Sequence, residues 1–85
     1  MQSEEFIRKC KGIVAEYFNE NVDATEHQNI TINDVYVVWY CKSLQNHKAL
    51  VSTNVPDGMY YEITHNGDTG ETYVDVYKKW KNMVR

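Results

Sequence analysis

The sequence contains little cysteine and no long apolar segment, and both absences restrict the class of protein. Its two cysteines, Cys10 and Cys41, are fewer than a small disulfide-stabilised domain carries. The longest apolar and aromatic run, residues 35–44, is far shorter than the roughly 20 residues that a transmembrane helix needs. The beginning of the sequence is acidic and includes no apolar signal region. We therefore expect a cytoplasmic protein that neither spans a membrane nor depends on disulfides.

Catalytic and metal-binding motifs are also missing. The sequence has no nucleophile elbow, phosphate-binding loop or dinucleotide-binding fingerprint. The possible metal ligands match no CxxC, HxxxH or HExxH spacing: Cys10, Cys41, His27, His47 and His65. Both cysteines fit better as small core residues. We predict a protein that is not an enzyme and that holds neither a metal nor a cofactor.

The composition predicts one folded domain that spans residues 1–85. Hydrophobic residues make up 42% of the chain and aromatic residues 13%, which is enough to build a modest core. The net charge of −3 opposes strong nonspecific binding to nucleic acid, which requires a basic surface. Four basic residues nevertheless lie close together near the C-terminus: Lys78, Lys79, Lys81 and Arg85.

Residues 35–44 form the strand around which the rest of the chain is predicted to fold. Valine, tyrosine and tryptophan favour extended structure, and the run alternates instead of following a helical period. Alternation predicts that one apolar set faces the core: Val35, Val37, Trp39 and Cys41. The opposite set should face away from it: Tyr36, Val38, Tyr40 and Lys42. Because both sets are largely apolar, we expect a central strand with Trp39 as a core anchor.

The flanking segments predict a helix before this strand and two strands after it. Apolar residues recur at three- and four-residue spacing over residues 4–18, so this segment should be a helix that packs on the sheet. A polar connection over residues 19–34 follows. Alternation predicts strands at 47–53 and 59–65, joined through a Pro-Asp-Gly turn at 56–58.

Residues 71–84 have two interpretations. Apolar and aromatic residues recur at helical spacing over three turns, and Asp68 followed by Glu71 resembles a capping box, so we predict a helix. In the alternative, Asn66 and Gly67 close a hairpin and residues 72–77 form a fourth strand.

The predicted fold class is α+β, with the element order α-β-β-β-α. Consecutive strands joined by short turns make a three-stranded antiparallel meander, and two apolar helix stripes cover one face of it. The other face stays open. We predict that this open face binds a partner through six side chains: Tyr36, Tyr40, Lys42, Lys48, Leu50 and Tyr60.

Three segments of the chain resemble a known protein family. Residues 37–53 read VVWYCKSLQNHKALVST, residues 58–68 read GMYYEITHNGD, and residues 71–80 read ETYVDVYKKW. Together they resemble a family of small proteins of unknown function, DUF6275, from bacteriophages and prophages of Gram-positive bacteria. The resemblance implies a phage-encoded protein in the cytoplasm of the host cell, and it supplies no catalytic residues.

Two functions are open at this point. The resemblance implies binding to a host or phage protein, and an aromatic face rimmed by charge suits such an interface or a homodimer. The alternative is a nucleic-acid-binding module, because the double-stranded RNA-binding domain has the same α-β-β-β-α order. In that module lysines at the start of the last helix contact phosphates, whereas Glu71 and Asp75 stand at that position here.

Overall fold

A four-stranded antiparallel sheet forms the fold, and a helix packs on one of its faces. The computed structural model describes residues 1–22 and 28–85, so residues 23–27 of the predicted connection lie outside the described residues. The elements are helix α1 Ser3–Asn21, a short 3-10 helix at Ile32–Asp34, and strands β1 Val35–Ser43, β2 Asn46–Thr53, β3 Met59–Asn66 and β4 Glu71–Lys78. The strands follow one another across the sheet in chain order, β1-β2-β3-β4. No helix in the described chain combines the length and the apolar character needed to cross a membrane.

Residues 71–78 form a strand, so the predicted helix over residues 71–84 is wrong. β4 pairs with β3 along its whole length in an uninterrupted antiparallel register. The sheet therefore has four strands instead of three, and within the described chain α1 packs on it without a second long helix. The alternative interpretation, a hairpin at Asn66 and Gly67 followed by a fourth strand, is confirmed.

The turn between β3 and β4 explains why this segment is extended. The Asn66 side-chain oxygen accepts hydrogen bonds from the backbone N–H groups of Asp68 and Thr69, at 2.9 and 3.3 Å. The Gly70 N–H donates to the Asn66 carbonyl at 2.8 Å, and the φ of Gly70 is 76°, which glycine adopts without strain. These bonds close a hairpin at the place where a helix would have to begin. The following residues alternate between β-branched and larger side chains, which suits a strand.

β1 is an edge strand that contains a β-bulge, and it is not the predicted central strand. Val37 lies opposite Val51 but Trp39 lies opposite Leu50, so Val38 is an extra residue in β1. The extra residue reverses the alternation of side chains from Trp39 onward. A prediction that assumes unbroken alternation therefore assigns the correct faces only before the bulge.

The side chains after the bulge lie on the faces opposite to those predicted. Trp39 is 42% exposed on the sheet face away from α1, so it is not the predicted core anchor. Cys41 is exposed on the same face and is not the predicted core residue. Tyr40 and Lys42 lie on the α1 side instead, where Tyr40 packs against the core and Lys42 is opposite the buried His47.

The apolar stripe of α1 forms the core together with the inner faces of β2 and β3. Phe6, Cys10 and Val14 are completely buried, as their helical spacing predicts. They share the core with buried side chains that alternation in the two strands assigns to this face: Ala49, Val51, Tyr61 and Ile63. Burial raises the pKa of the Cys10 thiol to about 12, so this cysteine is a neutral core side chain.

A buried polar network fixes the start of α1 to the sheet. His47 is 1% exposed, and its ring stacks on Phe6 with 5.0 Å between the centroids. His47 Nε2 lies 3.1 Å from the Met1 carbonyl, which can only accept, so Nε2 carries the proton of the neutral ring. His47 Nδ1 then accepts from the Tyr40 hydroxyl at 2.7 Å, and this hydroxyl lies 2.9 Å from Ser3 Oγ.

Replacing Tyr40 with phenylalanine should lower the free energy of unfolding by about 1–3 kcal/mol, because buried His47 Nδ1 loses its hydrogen-bond donor. Denaturant titration measures this change. The matched control is Tyr36→Phe, which removes a hydroxyl from the exposed opposite face and should change the same free energy by less than about 0.5 kcal/mol. Equal effects of the two substitutions would contradict the reversal of faces at the bulge.

The free energy of unfolding should fall as the pH is lowered from about 7 to about 5. Burial lowers the pKa of His47 from its ordinary value of 6.5, although the bond to the Met1 carbonyl opposes part of this shift. Below pH 6.5 His47 binds a proton in the unfolded chain but stays neutral in the folded protein. The free energy of unfolding therefore decreases with falling pH until the pH drops below the pKa of His47 in the folded protein. Denaturant titrations across this range measure the loss, and a constant free energy of unfolding would contradict the burial of a neutral His47.

Candidate protein-binding face

The sheet face opposite α1, which we call the open face, is an aromatic surface. Its large side chains come from all four strands and are half-buried or exposed: Tyr36, Trp39, Leu50, Tyr60, Tyr73 and Tyr77. The strand registers place Tyr36, Tyr60 and Tyr77 in one row across the sheet, with only Ser52 between them. Because α1 packs on the other face, a partner can reach these rings.

A shallow apolar depression lies on the open face near the end of β4. Its volume is about 400 Å³, and five residues line it: Leu50, Tyr60, Tyr77, Lys78 and Lys79. Lys79 Nζ lies 5.8 Å from the centre of the Tyr60 ring, within the range of a cation–π contact. The depression is open and apolar, so it suits an inserted side chain of a partner better than an enclosed small molecule.

The middle of the open face is acidic. One row across the four strands combines two apolar and two acidic side chains: Trp39, Leu50, Glu62 and Asp75. Lys48 Nζ lies 3.5 Å from Glu62 Oε1, so this lysine offsets one of the two carboxylates. At the edge, a hydrogen bond with Glu71, together with its charge, raises the pKa of the Tyr73 hydroxyl. Carboxylates beside exposed rings favour a cationic partner and disfavour phosphate.

Four of the six residues that the sequence predicts for partner binding lie on the open face: Tyr36, Lys48, Leu50 and Tyr60. The other two, Tyr40 and Lys42, lie on the α1 side because they follow the bulge at Val38. Tyr40 belongs to the polar network around His47 and is not available to a partner on the open face.

Sequence reasoning misses three aromatic residues of the open face. Trp39 is assigned to the core, because no local pattern marks the bulge that turns it outward. Tyr73 and Tyr77 are assigned to a helix stripe, because a spacing of four residues fits both a helix and one face of a strand. The signal that finds the two tyrosines is the turn at Asn66 and Gly67, which predicts a hairpin and hence a strand.

Of the candidate metal ligands, His47 and His65 lie opposite each other on β2 and β3, with 6.2 Å between their ring centroids. Cys10, His47 and His65 are buried, Cys41 is exposed on the open face, and His27 lies outside the described residues. His65 Nδ1 lies 2.9 Å from Thr72 Oγ1, a hydrogen bond between β3 and β4. The described part of the chain contains no group of three or more histidine, cysteine, aspartate or glutamate side chains arranged to hold a metal ion.

Comparison with known proteins identifies a family for this chain. No curated protein and no solved structure matches it. A model of a family of unknown function, DUF6275, matches residues 7–85. The match includes most of α1, all four strands and the C-terminal segment. The chain therefore belongs to DUF6275, a family of unknown function.

Proposed function

We propose that this protein is a non-enzymatic binding protein and that its open face binds another protein. The main support is the exposure of aromatic side chains from every strand on one sheet face. A contiguous exposed apolar surface of this kind is uncommon on monomeric proteins outside interaction sites. Tyrosine and tryptophan are also enriched at protein interfaces, where a few such residues contribute most of the binding energy.

The open face favours a partner that presents an apolar side chain with basic groups on the side that faces Glu62 and Asp75. The depression beside Tyr60 accepts the apolar side chain. Glu62 and Asp75 lie next to it in the sheet and would pair with lysine or arginine on the partner. Charged groups at an interface contribute mainly to the orientation and association rate of the partner. Glu62 and Asp75 should therefore affect these two properties more than the affinity.

The alternative of a nucleic-acid-binding module has less support. Its analogy with the double-stranded RNA-binding domain required a C-terminal helix, and that segment is β4. Tyrosines on the open face would stack on bases, but Glu62 and Asp75 lie beside them and repel phosphates. Lys78 and Lys79 at the end of β4 are the basic groups that still favour this alternative.

The proposed setting is the cytoplasm of a Gram-positive bacterial host, with the protein encoded by a phage or prophage. This part of the proposal follows from the resemblance of residues 37–53, 58–68 and 71–80 to phage and prophage proteins. In that setting the occupant of the open face is a host or phage protein.

The open face can be tested by using the unaltered protein as bait in a host lysate, and then titrating the captured protein with a double variant, Trp39→Ser with Tyr60→Ser. Each substitution removes an interface anchor, so the affinity should fall by about thirtyfold or more. The matched control is Leu44→Asn, because Leu44 is an exposed apolar residue in the β1–β2 turn with a φ of 55°, which asparagine tolerates. Equal affinities of the two variants would contradict the proposal.

Salt separates this function from the nucleic-acid alternative. An interface formed mainly by apolar burial should lose little affinity as the salt concentration is raised, because only its contacts to Glu62 and Asp75 are screened. Phosphate binding should weaken steeply under the same conditions, and it should weaken in Lys79→Glu. A nucleic-acid complex that behaves in this way, in the absence of any captured protein, would replace the protein-binding proposal.

A further inference from the structure

The outer edge of β4 has no neighbouring strand in the described chain, and both faces of this strand are exposed. β4 ends the sheet. Val74 and Val76 are each 38% exposed on the α1 side, because α1 packs over β1 and β2. Tyr73 and Tyr77 are exposed on the open face. A further strand at this edge would bury apolar surface on both faces of the sheet.

The free backbone groups at this edge follow from the pairing of β4 with β3. The Lys79 N–H donates to the Gly58 carbonyl at 2.8 Å, so the odd-numbered residues of β4 form the hydrogen bonds with β3. The even-numbered residues direct their N–H and C=O groups away from β3: Thr72, Val74, Val76 and Lys78. This row of donors and acceptors is a template for another strand.

β4 lacks two of the features that prevent strand edges from pairing, prolines and bulges. Its eight residues contain no proline, and its register with β3 contains no bulge. At the opposite edge of the sheet, the bulge at Val38 interrupts β1. Prolines and bulges are common protections of edge strands, so β4 is the edge better suited to pairing.

The charges along the C-terminal segment identify a second copy of this chain as the neighbour. Acidic residues come first, at Glu71 and Asp75, and basic residues follow at Lys78, Lys79 and Lys81. Antiparallel pairing of two copies places the acidic start of each segment opposite the basic end of the other. Opposite charges facing each other across a strand pair are stabilising, and a twofold dimer repeats each contact.

We propose that the protein forms a homodimer in which the β4 edges of two copies pair antiparallel about a twofold axis at Val76. Residues opposite each other must lie on the same sheet face, so the axis passes through a residue position. An axis at Val76 places Asp75 opposite Tyr77 and Glu71 opposite Lys81. The phenol and the lysine are suitable partners for the two carboxylates.

Neighbouring positions of the axis are less favourable. An axis at Asp75 places two carboxylates directly opposite each other, which is repulsive. An axis at Val74 places Lys79 and Lys81 opposite the β3–β4 turn of the second copy, away from Glu71. An axis at Tyr77 places Asp75 opposite Lys79 but leaves Glu71 opposite Met83. Among these positions, Val76 is the one that pairs Glu71 with a lysine without placing like charges directly opposite each other.

The dimer also gives a contact to Trp80, which is 94% exposed in the single chain. β4 ends at Lys78, and its extension by pairing with the second copy would place Trp80 on the α1 side of the sheet. With the axis at Val76, Trp80 lies opposite Thr72 of the second copy and diagonal to its Val74. The indole ring therefore covers a valine that α1 leaves exposed.

Dimerisation joins two four-stranded sheets into one, with both open faces on the same side. The inference does not rest on the proposed function, because edge pairing uses the backbone of β4 and the α1-side residues Val74, Val76 and Trp80. Trp39 and Tyr60, the anchors altered in the test of the open face, lie on β1 and β3.

Sedimentation and amide hydrogen exchange of the unaltered protein test the dimer without any substitution. Sedimentation should show a reversible dimer whose population rises with protein concentration. The amide groups of the free edge, at residues 72, 74, 76 and 78, should exchange about tenfold or more slowly once the dimer forms. A monomer at all concentrations, or exchange at these four amides that does not change with concentration, would overturn the proposal.

Val76→Lys tests the position of the axis, because it places two lysines opposite each other in the dimer. Dimerisation should weaken by about tenfold or more. The matched control is Val38→Lys, at an exposed valine of the opposite edge strand, which should leave the dimer intact. Circular dichroism confirms that each variant is folded. A dimer that survives Val76→Lys, or that is lost in Trp39→Ser with Tyr60→Ser, would overturn pairing through β4.

A charge exchange tests the register. Glu71→Lys alone and Lys81→Glu alone should each weaken dimerisation several-fold, because each places like charges opposite one another. The double variant restores opposite charges and should regain the affinity of the unaltered protein. Failure of the double variant to regain affinity would overturn the Val76 axis.

Discussion

The limited width of one helix is the constraint on which the rest of this structure depends. A helix with its side chains is about 10–12 Å wide, and neighbouring strands are about 4.8 Å apart, so one helix shields roughly two or three strands. α1 packs over β1 and β2 and buries the inner residues of β2 and β3. α1 contacts β4 through the hydrogen bond from Lys9 Nζ to Thr72 Oγ1 but leaves Val74 and Val76 partly exposed, and the opposite face of the sheet has no helix in the described chain. Both surfaces proposed for binding are therefore the parts of the sheet that α1 does not shield.

The sequence predicts the parts of the fold that have a single buried face. In β2 and β3, buried apolar residues such as Ala49 and Ile63 alternate with residues that are mostly half-buried or exposed, so the pattern identifies both the strand and its facing. β1 is different, because its apolar residues point to both faces of the sheet. Its sequence therefore does not show which set of side chains faces the core. The bulge at Val38 arises from pairing with β2, which is a contact with distant residues. For this reason alternation assigns Tyr36 to the correct face, whereas it assigns Trp39 and Tyr40 to the wrong faces.

The C-terminal segment shows how two periodicities become indistinguishable. Tyr73 and Tyr77 are four residues apart, and this spacing keeps two side chains on one side of either a helix or a strand. The decisive information lies earlier in the chain, where Asn66 and Gly70 close a hairpin turn. Local turn chemistry therefore determines the conformation of β4. It brings both tyrosines to the open face, although helical periodicity assigns them to a stripe that packs against the core.

The meander order of the strands has a consequence for the speed of folding. Strands that are neighbours in the sheet are also neighbours in the chain, and loops of two, five and four residues join them. Short loops cost little closure entropy, so each hairpin forms without a long search. The packing of α1 on β2 joins residues much farther apart in the chain, as in the contact between Phe6 and His47. The topology therefore makes the sheet the rapidly formed part of the protein, and the docking of the helix the step with the larger entropic barrier.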